Sequence, residues 1–169
     1  MVNPPARVGP RPRTSEVIPH IQLDQWPDSE IYRKLLDSLL LLPHVGHRQS
    51  RMARPDTVAL VLDEAVALGP GEAFIDDHEF CHIHALPNGT IHLPLPDAIR
   101  QRVLELGWGQ LHVAARNGFV APTLCLIYAP RNLNELGIIS GIVQVGMRFA
   151  GGDINHNSMF GEGLRLCPS

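Results

Sequence analysis

The sequence predicts an α+β domain: a mainly antiparallel sheet with a histidine-bearing hairpin, and about three helices packed on one face. Two observations carry this. Apolar residues recur at helical spacing in "DSEIYRKLLDSLLLL", "LPDAIRQRVLELGWG" and "RNLNELGIISGIVQVGMRFAGG". Between the first two, "EFCHIHAL" and "TIHLPL" read as strands joined through Pro87-Asn88-Gly89, and Asn-Gly is a strong hairpin-turn dipeptide. Helices interspersed with hairpin-linked strands bury their apolar stripe against one side of the sheet.

At 169 residues, with 44% hydrophobic and 18% charged residues, the chain reads as one globular domain. Residues 1–27 are proline-rich and are expected to form an extended or partly disordered arm. Residues 28–150 form the domain, and 151–169 read as a loop-like tail. In the first helix Asp28 or Ser29 supplies the cap, Ile31, Leu35, Leu39 and Leu42 make the buried face, and Pro43 ends it. A polar stretch follows, in which "HRQSRMAR" reads as a solvated loop. "DTVALVLDEAVAL" suits a strand by its β-branched start and a helix by its alanines and leucines. "LGPGEAF" is a turn. The second helix has Pro96 near its first turn, Ile99, Val103 and Leu106 on one face, and Gly107 at its end. "QLHVAA" and "TLCLIYA" read as further strands. The last helix is apolar around much of its circumference, which fits burial in the core and leaves homo-oligomerisation open.

Net charge is −3 with neutral histidines, so no basic field draws the chain to nucleic acid. Three cysteines, Cys81, Cys125 and Cys167, are an odd count without CxxC spacing and fit a reducing compartment. The start lacks the apolar stretch of a signal peptide, and "LLDSLLLLP" is too short to span a bilayer. The expectation is a soluble cytoplasmic protein with no membrane partner.

Chemistry concentrates in "DDHEFCHIHALPNGTIHLPLP", which holds four of the nine histidines. On a regular strand His78, Phe80, His82 and His84 share one face, while Glu79, Cys81 and Ile83 share the other. His82 and His84 then project side by side, about 7 Å apart at their Cα atoms. The turn brings back His92, expected opposite His84, and His112 on a following strand can join them. Three readings stand. His82, His84, His92 and His112 can hold iron, zinc or manganese. They can act as metal-free acids and bases, since neighbouring imidazoles depress one another's basicity. Or they are polar sheet residues, in a non-catalytic ligand-binding protein. In "YAPRN", Tyr128 and Arg131 flank a strand-to-helix turn, where Arg131 can bind an enolate oxygen or solvate the helix start. Trp108, between two glycines, packs in the core or lines a pocket; Cys81 reads as a buried strand residue, and Asp76 and Asp77 as turn residues.

Taken in order, "HIHALPNGTIHLPLP", "LELGWGQLH" and "LIYAPRN" followed by a long apolar helix resemble the domain of the fungal luciferases and their bacterial relatives, over about residues 73–150. The resemblance implies an enzyme of specialised metabolism that oxidises an electron-rich, enolisable small molecule with molecular oxygen, without a required metal or organic cofactor. It carries catalytic roles onto His82, His84, His92, His112 and Arg131, and substrate contacts onto Glu79, Trp108 and Tyr128. Departures are an N-terminal half that looks unrelated, no counterpart of the fungal enzymes' membrane-proximal apolar segment, and Val113 after His112 where many relatives have proline.

Overall fold

In a computed structural model that describes residues 3–161, six strands form one sheet in the order β1-β2-β3-β4-β6-β5, every neighbouring pair antiparallel. The strands are β1 (Val45–Gln49), β2 (Val58–Leu62), β3 (Glu79–Ile83), β4 (Ile91–Pro94), β5 (Gly109–Leu111) and β6 (Leu124–Ile127). Four helices accompany them: α1 (Ser29–Leu40), α2 (Asp97–Glu105), the one-turn α3 (Val113–Arg116) and α4 (Leu133–Ala150). The α+β class holds, with one short helix more than expected. No described helix is long and apolar enough to cross a membrane.

Helix α1 starts where Asp28 accepts the Ile31 N–H at 2.8 Å, satisfying one of the free donors of the first turn. Its Ile31, Leu35 and Leu39 are buried. Helix α4 packs on α1, β3 and β4, burying Ile139, Ile142, Val143, Val145 and Phe149 in the core. The approach is close: a Cβ on Gly146 would lie 2.3 Å from Leu93 Cδ1, so only glycine lets α4 sit this near β4. Leu35, Leu39, Phe80, Cys81, Ile83, Ile91, Leu93, Ile142 and Phe149 form the centre of the core between sheet and helices.

Three readings of the sequence are corrected. The stretch taken as a polar loop contains β1, an edge strand whose side chains are only partly covered. An edge strand buries little, so it lacks the alternation that reveals a strand. "DTVALVLDEAVAL" resolves into strand β2 and a 3₁₀ turn at Glu64–Val66. "QLHVAA" is not one strand: β5 ends at Leu111, and His112 caps α3 by accepting the Ala114 N–H at 3.2 Å.

The face of the sheet opposite α1 and α4 is covered by residues of the N-terminal arm. Thr14 bridges Gln22, and Gln22 N–H donates to Thr90 Oγ1 (2.9 Å); Pro5, earlier in the arm, lies beside α4, where its carbonyl accepts from Trp108 Nε1 (2.7 Å). Residues 162–169, with Cys167 and the end of the expected tail, lie outside the described residues.

Candidate functional site

The hairpin closes through Gly89, whose φ of +60° suits glycine in a tight turn. Its register pairs His82 with His92 and Ile83 with Ile91, so His92 stands opposite His82 rather than His84. Alternation then separates two faces. Cys81, Ile83, Ile91 and Leu93 enter the core, and His82, His84 and His92 face away from it.

Glu79 breaks the alternation. Leu60 of β2 pairs with Cys81, but the next residue, Val61, pairs with Glu79, so β3 advances two residues against one. This bulge sends Phe80 into the core beside Cys81 and turns Glu79 onto the histidine face. Glu79, expected to point away, is fully buried with Oε1 2.8 Å from His82 Nδ1. Ser50 Oγ–H donates to the same oxygen at 2.8 Å, and Arg48 Nη1 pairs with Oε2 at 3.0 Å. The supposed solvated loop thus supplies the groups that hold Glu79.

Hydrogen-bond directions assign the protons. His92 Nε2 lies 2.7 Å from the His20 carbonyl, which can only accept, so His92 is protonated there. Burial first, then the neighbouring histidines, push the His92 pKa well below its ordinary value, so the ring is neutral and Nδ1 is bare. His82 Nε2, 2.8 Å from that Nδ1, is therefore the donor. A second hydrogen bond joins His82 Nδ1 to Glu79, whose carboxyl group is also held by Ser50 and faced by Arg48. The result is a chain Arg48–Glu79–His82–His92–His20 carbonyl.

His84 and His112 complete the cluster and differ from this pair. Their rings lie 4.8 Å and 4.5 Å from that of His92. Burial is the main cause that pulls both down to about 4, so both are neutral. His112 Nδ1 accepts from Ala114, which places its proton on Nε2. His84 Nδ1 lies 3.4 Å from Thr57 Oγ1, and its buried Nε2 has no partner. A cavity of about 620 Å³ opens on His82, His84 and His112, walled by Ile18, Met52, Phe74, Ile75, Val120 and Leu124.

The other expected site residues lie elsewhere. Trp108 is 2% exposed and packs in the core. Tyr128 is buried under the Arg7 guanidinium, 5.5 Å from its ring, and donates to Gln110 Oε1 at 3.1 Å. Arg131 is clamped by Glu135 through Nε (2.9 Å) and Nη2, and by the Val8 carbonyl. None of the three lines the histidine cavity. Tyr128 still touches the cluster indirectly, because the Gln110 side-chain amide lies 2.8 Å from His20 Nε2.

His20 is the residue that sequence reasoning missed. It is 1% exposed, accepts the Val113 N–H on Nδ1 at 3.1 Å, and stacks edge-on to His112 at 4.9 Å. A lone histidine in a proline-rich arm carries no periodic signal, and only the fold brings it here.

Nitrogens of His82, His84 and His92 lie within 4.8 Å of one another, as do those of His20, His92 and His112. Either set can converge on a metal. A tetrahedral zinc with bonds of about 2.05 Å would hold two nitrogens about 3.3 Å apart. The 2.8 Å between His82 and His92 is a hydrogen-bond distance, so a metal there has to displace that proton.

The fold and cluster define a histidine-lined cavity on a helix-backed antiparallel sheet. Residues 77–146 match the family model described as the Luciferase domain, so the resemblance carried by the motifs holds over that stretch. The chain is 30% identical over 166 residues to the luciferases of Armillaria ostoyae and Armillaria mellea, covering 88% of this chain and 62% of those proteins. With the luciferase of Neonothopanus nambi it shares 28% identity, covering 61% of that protein. The similarity runs well beyond residues 73–150, so the N-terminal half is not unrelated. The chain spans less than two thirds of these relatives. No solved structure matches it.

Proposed function

We propose that the chain is a small-molecule enzyme that does acid/base chemistry on an enolisable, polyketide-like or aromatic substrate. One observation carries the reading: two neutral imidazoles line the same cavity, His84, whose buried Nε2 has no hydrogen-bond partner, and His112, whose proton sits on Nε2. In this reading His84 Nε2 takes the proton from an acidic C–H or enol. His112 Nε2–H donates to the developing enolate oxygen. Apolar walls exclude water from the anion. Such a carbanion can itself pass an electron to molecular oxygen, which makes oxygenation without metal or organic cofactor the favoured outcome. Without oxygen the same anion rearranges, cyclises or expels a leaving group. Similarity to proteins named luciferase supports the reading, although the reaction of a relative does not transfer with the fold. We place the enzyme in the cytoplasm, in keeping with the free thiols Cys81 and Cys125.

The test incubates untagged protein with a panel of hydroxypyrones and β-dicarbonyls in D₂O, under air and under nitrogen. Proton exchange is followed by NMR and oxygen uptake by electrode. Catalysed exchange that disappears in His84→Gln supports the reading; no exchange above buffer, or full exchange in the variant, overturns it. A second reading, a mononuclear iron, zinc or manganese enzyme, rests on the converging histidines. Stoichiometric metal by elemental analysis, lost together with activity on chelation, would establish it instead.

A further inference from the structure

We propose that the cavity takes an apolar, ring-sized carboxylate, with its acid group at Arg54 and its reacting centre beside the His84 ring. The inference rests on this cavity being the substrate site.

The charge inventory of the lining comes first. Arg51, Arg54, His82, His84 and His112 line the cavity, and no aspartate or glutamate does. Arg51 is engaged, with Asp76 at 3.6 Å and Asp77 at 3.9 Å. Arg48, just outside, is engaged with Asp76 and Glu79. Arg54 pairs with no carboxylate within 4.0 Å among the described residues, and its guanidinium makes no hydrogen bond there. A guanidinium lining an apolar cavity suits a planar, two-oxygen anion, to which its N–H groups can donate in parallel.

The second observation concerns His84. His84 is 3% exposed and its Nε2 lacks any partner, although it lines the cavity. A buried polar nitrogen left unpaired is costly, and a ligand that reaches it removes that cost. The apolar walls include Ile18, Phe74, Val120 and Leu124, which favour a ring over a polar chain. The arrangement has a kinetic consequence. Burial and then His82 are the main causes that lower the His84 pKa, Asp56 raises it and Arg54 lowers it, and an anion bound beside Arg54 offsets the Arg54 contribution. His84 becomes a stronger base when the substrate arrives.

Calorimetric titration of the intact protein with trans-cinnamate and trans-cinnamamide tests this. The wild type is expected to bind the carboxylate about tenfold more tightly than the amide. Arg54→Gln is expected to bring the two to parity without weakening the amide, and Arg33→Gln, on α1, to leave the ratio unchanged. Equal binding of the two probes by the wild type, or an unchanged ratio in Arg54→Gln, overturns the acid subsite and leaves the cavity reading standing. Binding of neither probe overturns both. Carboxylate selectivity without any catalysed proton exchange overturns the proposed chemistry and supports the subsite.

Discussion

His82 Nε2 and His92 Nδ1 lie 2.8 Å apart, and the proton between them belongs to His82, because His92 donates its own N–H to the His20 carbonyl. The direction of that one bond separates this pair from His84 and His112. His82 and His92 have their polar atoms committed to Glu79, to each other and to the arm. His84 and His112 line the cavity, and His84 Nε2 is left without a hydrogen-bond partner.

Glu79→Gln should expose the dependence of His82 on its carboxylate. The amide leaves Arg48 and His82 without their shared anion in a buried setting, at a cost of about 3 kcal/mol. Urea unfolding measures the loss. Proton NMR should show a far-downfield imidazole N–H in the wild type that vanishes in the variant. Its persistence would place that proton on another ring.

His84→Gln and His92→Gln should separate chemistry from stability. The unpaired Nε2 of His84 contributes no hydrogen bond to the fold, so its loss should move the unfolding midpoint little while lowering turnover by about 10² to 10⁴. His92→Gln breaks two buried bonds and should cost about 1–3 kcal/mol. Equal destabilisation by both would contradict the assignment.

Stability should rise between pH 4 and pH 6.5 and level off above. His20, His84 and His112 are held at about 4 in the fold, mainly by burial, against 6.5 for the free side chain. In that window the unfolded chain binds protons that the folded chain refuses, so acid favours unfolding. Each such histidine adds a slope of about 1.4 kcal/mol per pH unit at most. Unfolding midpoints measured across the window check the sign; a flat profile would mean that these rings are charged in the fold.

His20→Ala keeps the backbone carbonyl that His92 uses and removes only the imidazole that accepts from Val113. It should cost about 1–2 kcal/mol and leave turnover measurable. Removing residues 1–21 also removes the carbonyl and should abolish turnover. Full activity in the truncated chain would make the arm a mere cover.

The α+β class, the hairpin and the three long helices were legible in the sequence because each follows from a local period. Asp28 as cap, the Ile31–Leu35–Leu39 face and Gly107 at the end of α2 are local chemistry. So was the pair Arg131–Glu135, since charges four apart at a helix start face each other, yet the expected anion-binding role obscured it. β1 escaped because an edge strand shows little alternation. The face taken by Glu79 escaped because a bulge is decided by how β3 packs on β2.

By itself, then, the sequence determined that His82, His84 and His92 share one side of a helix-backed sheet, because side-chain direction in a strand depends only on position along it. The tertiary structure alone decided that Glu79 and Ser50 join them, that His20 crosses from the arm, and that Arg131 and Trp108 stay away. Those contacts depend on register, a bulge and a long-range crossing. Each is a choice between alternative packings of the whole chain, and no local period records it.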